Sequence, residues 1–117
     1  MAGIKNWKVD QATNFTFSIV YKDPDGDPIN LTQYRVYMDV KSAPGSKKVL
    51  ASATQGDGIT VTPLLGKIDV NFAPDKTAKI AYPKSAYDLV IEYIPTGQLT
   101  RLLEGWLEVS RAVTVVG

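Results

Sequence analysis

Apolar and polar residues alternate along most of this chain, and that alternation predicts β-strands. Between Phe15 and Tyr21 every second residue is aromatic or apolar, which is the period of a strand with one buried face. Turn-forming Pro, Gly and Asp residues separate this segment from others of the same kind. The predicted strands share the alternation or a short apolar run and span residues 2–9, 15–21, 34–41, 48–54, 59–62, 67–72, 87–93 and 99–110.

Several connections have a clear sequence signature. Residues 55–58 and 63–66 are rich in Gly or Pro and predict hairpin turns. Gly105 interrupts the last strand and predicts a bend or bulge there. Residues 113–116 form a final apolar segment that we expect to pair along a sheet edge.

One short stretch has helical character. It begins with Pro74 in the first turn, places Asp75 early and has lysines later, as helix termini prefer. The sequence therefore predicts a single short helical turn near residues 74–80.

These elements predict an all-β fold in one domain, residues 1–117. A single open sheet leaves one face of each strand in water, whereas two packed sheets bury the inner faces, and that burial is the main force opposing chain entropy. We therefore expect a β-sandwich of about seven to nine short strands. Residues 85–89 resemble the start of the strand that carries Tyr87 as the corner tyrosine of immunoglobulin-like (Ig-like) sandwiches, although the Cys and Trp marks of antibody domains are absent.

Composition narrows the functional classes. The 117 residues are 44% hydrophobic and 21% charged, so the chain is not a disordered segment. A net charge of +1 gives no reason to expect nucleic acid or an anionic membrane as a partner. Without Cys or His, disulfides, structural zinc sites of the usual kind, thiol nucleophiles and His-based triads are excluded. No apolar run is long enough to cross a bilayer or to form a secretory signal.

The acidic residues suggest little chemistry. Asp23, Asp25 and Asp27 alternate as at the start of a calcium loop, but Pro28 stands where that loop needs Gly and Tyr34 where it needs Glu. We interpret the segment as an acidic hairpin turn.

A pair of carboxylates can serve a glycosidase as acid and base. The candidates lie two to a strand and are Asp88, Glu92, Glu104 and Glu108. However, charged residues are common on the solvent-exposed face of a strand. We assign no catalytic, cofactor-binding or metal-binding residue and expect the chain not to be an enzyme.

Apolar residues also fall on strand faces that the alternation predicts to be exposed. Val90 and Ile94 flank Glu92, and Leu102 and Trp106 flank Glu104. Two interpretations stay open. In the first, a terminal segment or loop covers these side chains, or they are isolated surface residues without a function. In the second, they form a protein-contact patch. The candidate contact surface comprises Tyr37, Val90, Ile94, Leu102 and Trp106.

An ordered set of motifs resembles a family of small tailed-phage and prophage proteins that contain an Ig-like sandwich, similar to the N-terminal modules of baseplate and fibre-associated proteins. None of these turn and strand motifs is specific alone. They are DGDPINLTQY (25–34), VYMDVKS (36–42), GITV (58–61), GKIDV (66–70), TA (77–78), YDL (87–89) and LLEG (102–105).

The resemblance implies a structural role in the virion, after synthesis in the host cytoplasm. The chain is then a tail- or baseplate-associated adaptor or a capsid decoration module, present in several copies or as a homo-oligomer. Its partners are other virion proteins, and no cofactor, nucleic acid or membrane is implied. The alternative is a carbohydrate-binding sandwich that uses Trp106 or Tyr37 as a flat stacking surface for sugars.

Overall fold

The structure is a computed structural model that describes residues 3–112. Within that range it contains nine strands, a 3-10 turn at Pro63–Leu65 and one short α-helix, α1 (Pro74–Thr77). The predicted all-β class is confirmed, and α1 lies inside the predicted helical segment. Residues 113–116, predicted to pair along an edge, lie outside the described residues. The strands are β1 (Gly3–Ile4), β2 (Trp7–Asp10), β3 (Phe15–Val20), β4 (Tyr34–Lys41), β5 (Val49–Gln55), β6 (Gly58–Thr62), β7 (Lys67–Phe72), β8 (Lys84–Tyr93) and β9 (Gln98–Ser110).

The strands follow one another in the order β1-β9-β8-β4-β5-β6-β7-β3, and β2 also pairs with β9. The order divides where β5 meets β6, because these strands pair only at Thr54 with Gly58 and Gln55 with Ile59. We call β1, β2, β9, β8, β4 and β5 the large sheet, and β6, β7 and β3 the small sheet. The two sheets pack as an Ig-like sandwich, with β5 extending the large sheet as in variable-type domains.

Two connections differ from the sequence prediction. The connection at residues 55–58 is not an antiparallel hairpin, because the two residue pairs between β5 and β6 are parallel. This connection takes the chain from the large sheet to the small sheet. The predicted first strand is two strands, since pairing with β9 is interrupted at Lys5 and Asn6, a segment that we call the bend, and resumes in β2.

The core draws on the inward side chains of both sheets. Val36 and Leu89 of the large sheet and Ile68 and Phe72 of the small sheet are each fully buried. Burying such a side chain stabilises the fold by about 1.5–3 kcal/mol. The alternation that turns these side chains inward therefore accounts for much of the stability of the sandwich. Leu89 stands two residues after Tyr87, where antibody domains place a disulfide cysteine, so apolar packing replaces the disulfide.

The strand corner before β8 is tied by Ser85 rather than by Tyr87. The Ser85 hydroxyl donates to the Ala81 carbonyl and accepts the Ala81 N–H, both at 3.0 Å. The hydroxyl of Tyr87 instead donates to the Lys5 carbonyl at 2.6 Å, far away in sequence. The resemblance of residues 85–89 to a tyrosine-corner strand therefore does not extend to the hydrogen bond that defines the corner.

The irregularity predicted at Gly105 lies elsewhere in β9. Leu103 pairs with Leu89 but Arg101 pairs with Val90, so Leu102 is the extra residue of a bulge. Gly105 pairs regularly with Tyr87. A Cβ atom on Gly105 would lie 2.2 Å from the Lys5 carbonyl oxygen, so this glycine makes room for the bend between β1 and β2.

Candidate contact surface

The candidate surface is the outward face of the large sheet, where strand register sets the neighbours. Residues paired across antiparallel strands point their side chains to the same face. Three successive rows cross β4, β8 and β9, each with one residue from each strand. They are Tyr37–Val90–Arg101, Asp39–Asp88–Glu104 and Lys41–Ala86–Trp106.

These rows separate the residues of the predicted contact surface. Tyr37 and Val90 are cross-strand neighbours, and Ile94 lines the same groove as Tyr37. Trp106 lies two rows away, beyond the acidic row. The expectation that Leu102 shares the outward face with Trp106 is wrong, because the bulge turns Leu102 against the hydrophobic core. The face therefore presents two separate sites rather than one patch.

The first site, which we call the Trp106 groove, is an open groove of about 600 Å³. Ala86 contributes to its lining beside the Trp106 ring, and the loop at Ala43 and Pro44 adds a further part. The ammonium group of Lys84 lies 4.2 Å from the centre of the Trp106 ring, in a cation–π contact. The sequence contained no signal that this loop borders Trp106.

The acidic row also lines this groove, and Arg101 binds two of its three carboxylates. Its guanidinium lies 3.2 Å from the Asp88 carboxylate and 3.0 Å from the Glu104 carboxylate. Asp88 and Glu104 are direct cross-strand neighbours, and like charges in that position repel. Arg101 offsets that repulsion, so these carboxylates act as a structural ion-pair network on the sheet.

The second site, which we call the Tyr37 groove, is an open groove of about 550 Å³. The Tyr37 hydroxyl donates a 2.9 Å hydrogen bond to Glu92, which fixes the ring over the sheet. Ile94 is 47% exposed at one side of the groove, and Tyr34 also lines it. Glu92 thus positions an aromatic side chain, which the spacing of acids along β8 did not indicate.

The acidic segment after β3 forms the predicted hairpin turn. The backbone N–H of Asp23 donates to the Asp27 carbonyl at 2.9 Å, and Lys22 forms a β-bridge with Pro28. The Asp23 carboxylate accepts the backbone N–H groups of Asp25 and Asp27 at 3.0 and 2.9 Å. Within residues 3–112 no group of three or more acidic side chains is arranged to hold a metal ion.

A part-buried polar link that the sequence did not indicate joins β8 to the N-terminal strands. Tyr87 donates to the Lys5 carbonyl and accepts a 2.9 Å hydrogen bond from the Trp7 indole N–H. Burial raises the pKa of the Tyr87 hydroxyl above its ordinary value of 10.0, while the bond from Trp7 acts in the opposite direction. The link is a structural element between the inner side of β8 and the N-terminal strands.

Comparison with known proteins supports the fold alone. No family model matches the sequence, and no curated protein sequence matches it. The structure is similar to that of the NK cell receptor Nkp44, described as a triggering partner in natural cytotoxicity, with a TM-score of 0.52. The match covers 94% of this chain and 99% of the receptor chain at 12% sequence identity. The shared feature is the Ig-like sandwich, which hosts many unrelated functions.

None of the helices in residues 3–112 is long and apolar enough to cross a membrane.

Proposed function

We propose that this chain is a structural component of a tailed-phage virion and that it acts through protein–protein contacts. The observation that carries the proposal is the outward face of the large sheet. It presents Tyr37 and Ile94 in one open groove, and Trp106 and Arg101 in a second. Aromatic residues and Arg are the side chains enriched at protein interfaces and their hot spots.

The virion setting rests on the motifs that resemble phage and prophage proteins. Gly66 and Gly105 belong to these motifs, and both stand where a side chain would collide with backbone. A Cβ atom would lie 2.6 Å from the Tyr21 carbonyl oxygen at Gly66 and 2.2 Å from that of Lys5 at Gly105. At these two glycines the motifs therefore describe the frame of the sandwich.

The proposed role is contact rather than catalysis. Of the carboxylates that the sequence offered for acid–base chemistry, Asp88 and Glu104 pair with Arg101, and Glu92 holds Tyr37. Each of these groups has a structural partner on the same face, which supports a binding surface over an active site.

The virion role is tested on particles released by the strain that encodes the chain. Quantitative mass spectrometry of purified particles is expected to find the chain in a fixed ratio of several copies per particle. If the chain is made but stays in the particle-free fraction of the lysate, the proposal is wrong.

The contact face is tested with a matched pair of surface substitutions. Ile94→Lys places a charge in the Tyr37 groove, and Leu64→Lys places the same charge on the 3-10 turn between β6 and β7, where the side chain is 75% exposed. We expect Ile94→Lys to lower incorporation into particles about tenfold, because it buries an unpaired charge in the contact, and Leu64→Lys to leave it unchanged. Equal incorporation of both variants contradicts a contact through this groove. Both purified variants should melt like the wild type.

Sugar binding remains a second candidate because Trp106 lines a groove that also contains the polar side chains of Asn6 and Asp39. Aromatic rings beside polar groups suit ligands with both apolar and hydroxyl faces. However, the Lys84 ammonium already lies over the Trp106 ring, so a sugar stacking on that face has to displace it. Binding in a glycan screen that is lost in Trp106→Ala and strengthened in Lys84→Ala would favour this candidate.

A further inference from the structure

Within the described residues, strand β3 is an edge strand that pairs on one side only. It is the last strand of the sheet order and pairs only with β7, over six residue pairs from Phe15 to Val20. In constant-type Ig domains the first strand belongs to the same sheet as the second. Here both N-terminal strands pair with β9 instead. Among residues 3–112, no strand covers the free side of β3.

The hydrogen-bond alternation shows which backbone groups face that free side. The Tyr21 N–H donates to the Gly66 carbonyl at 2.8 Å, one rung beyond the pair of Val20 with Lys67. In an antiparallel ladder alternate residues bond to the same neighbour, so Phe15, Phe17 and Ile19 bond to β7. Thr16, Ser18 and Val20 therefore point their N–H and C=O groups away from β7. Strand β6 gives an independent check. Val70 lies opposite Phe17 of β3 and bonds to it, so its backbone groups face away from β6. Ile59, which lies opposite Val70 in β6, should therefore face away from β7, and its carbonyl does so, since it accepts the Gly56 N–H.

The free edge lacks the usual protection against strand addition. Natural edge strands carry Lys, Pro, inward charges or bulges that block pairing with another chain. The sequence of β3, FTFSIV, contains no charge and no proline, and its register with β7 runs without a shift. Thr16 and Ser18 are exposed, and Val20 is 47% exposed.

We infer that two copies of this chain pair antiparallel through β3, which joins their small sheets into one continuous six-stranded sheet. The argument for a second copy is self-complementarity. The outward-facing residues are spaced evenly about Ser18, so a two-fold axis at Ser18 pairs Thr16 with Val20 of the second copy and Ser18 with its equivalent. Every outward N–H and C=O of the three residues then finds a partner.

The side chains on both faces of that pairing are compatible. On the inner face Ile19 lies opposite Phe17 of the second copy, and Ile19 is only half-buried in the single chain. On the outer face the nearest charged neighbour of Ser18 is Asp69, on β7. The two copies of Asp69 are three strand spacings apart, about 14 Å, which exceeds the screening length at physiological salt. No like charges oppose each other across the axis.

The pairing is expected to be weak in dilute solution. A single pair of six-residue strands belongs to the small, transient class of interfaces, below about 1,200 Å². We therefore expect dissociation constants in roughly the micromolar range or above and stronger pairing where copies are held close together. The pairing is a property of the chain itself, whereas its use in a particle rests on the proposed function.

Sedimentation velocity over a concentration series, from low micromolar to about 1 mM, is the first test. The variant Ser18→Lys places two ammonium groups opposite each other at the axis, and the matched control Thr60→Lys places the same charge on the other side of Asp69, since both residues pair with it. We expect wild type and Thr60→Lys to form dimers, and Ser18→Lys to weaken dimerisation about tenfold or more. A wild-type chain that stays monomeric throughout, or dimers unaffected by Ser18→Lys, overturns the inference.

Amide exchange measured by NMR adds a readout of the backbone. At high concentration the N–H groups of Thr16, Ser18 and Val20 should become protected, whereas those of Phe17 and Ile19 should be protected at every concentration. Protection that rises at other strands instead overturns the inference. If the chain stays monomeric and these amides are unprotected at every concentration, the inference is overturned.

The outcomes for this inference and for the virion role are separable. Dimers in solution without the chain in particles leave the inference standing and reject the virion role. Normal incorporation of a strictly monomeric chain supports the virion role and rejects the inference.

Discussion

The two ends of the strand order are built in opposite ways. At the β9 end, β1 and β2 add two short parallel strands, and the bend between them is fixed by several specific contacts. At the β3 end the described chain supplies no further strand. Residues 3–10 cause both conditions, because pairing with β9 removes them from the small sheet. The comparison shows that the N-terminal segment, rather than the sandwich frame, determines which edge is open.

The bend at Lys5 and Asn6 concentrates the contacts that hold the β9 end. The Lys5 N–H donates to the Glu104 carbonyl at 3.1 Å, and its carbonyl accepts the Tyr87 hydroxyl. The Asn6 side chain accepts the Trp106 backbone N–H at 2.9 Å. Substitutions at this bend should therefore lower the free energy of unfolding, and the loss should be larger for a substitution that displaces the backbone than for one that removes a single hydrogen bond.

The largest effect is expected for Gly105→Ala. The new Cβ atom would lie 2.2 Å from the Lys5 carbonyl and 2.8 Å from the Asn6 amide oxygen, so the bend has to move away from β9. Overpacking against backbone costs typically 1–3 kcal/mol, and we expect about 3 kcal/mol here. Thermal unfolding should show a midpoint lowered by about 10 °C.

The matched control for that prediction is Gly3→Ala, in the strand next to the bend. There a Cβ atom meets the side chain of Leu103 at 3.3 Å, and a side chain can shift by the few tenths of an ångström required. We expect a loss below about 1 kcal/mol. Equal losses in the two variants would show that Gly105 does not accommodate the bend.

Tyr87→Phe is expected to have the next largest effect. It removes the donor to the Lys5 carbonyl and the acceptor for the Trp7 indole, in a part-buried link, while the ring still fills the core. Leaving buried polar groups without partners costs about 1–3 kcal/mol, and we expect about 2 kcal/mol from urea unfolding. Tyr34→Phe is a suitable comparison because Tyr34 is half-buried outside this link. A Tyr87→Phe variant as stable as Tyr34→Phe would contradict the role of the link.

The pH dependence of stability sharpens the same point. Because burial raises the pKa of Tyr87 above 10.0, the folded chain retains a proton that the unfolded chain releases in strong alkali. Its contribution to stability is complete below pH 10 and is lost as the pH rises through the folded-state pKa. Wild-type stability should therefore fall more steeply above pH 10 than that of Tyr87→Phe. Parallel curves in urea unfolding would remove Tyr87 as the titrating group.

The sequence predicts the strands well because alternation reports burial directly. Phe15 and Phe17 are buried while Thr16 and Ser18 are exposed, as the period of two requires. The bend at Lys5 and the bulge at Leu102 were not predictable, because both depend on which strand lies next to β9 and in what register. No local pattern of residues encodes that choice.

The candidate surface was predictable only in part, for the same reason. Exposed aromatic and apolar residues on β4, β8 and β9 were identified from alternation, but their grouping into two grooves follows from cross-strand register. Asp88 and Glu104 are far apart in sequence, yet they are direct cross-strand neighbours, and both bind Arg101. The free edge of β3 likewise became visible only once β1 and β2 were placed on β9.

The smallest effect is expected at the polar side chains of the two edges, where Asn6→Ala and Ser18→Ala each remove one side-chain hydrogen bond. Asn6 accepts the Trp106 N–H and so links the bend to β9, whereas Ser18 donates to Asp69 on the outer face of an existing strand pair. We expect Asn6→Ala to cost about 1 kcal/mol in urea unfolding and Ser18→Ala less than about 0.5 kcal/mol. Asn6→Asp keeps the acceptor and should recover most of the loss. If Ser18→Ala costs as much as Asn6→Ala in the monomer, the β3 edge contributes to the fold as the bend does, and the contrast between the two edges fails.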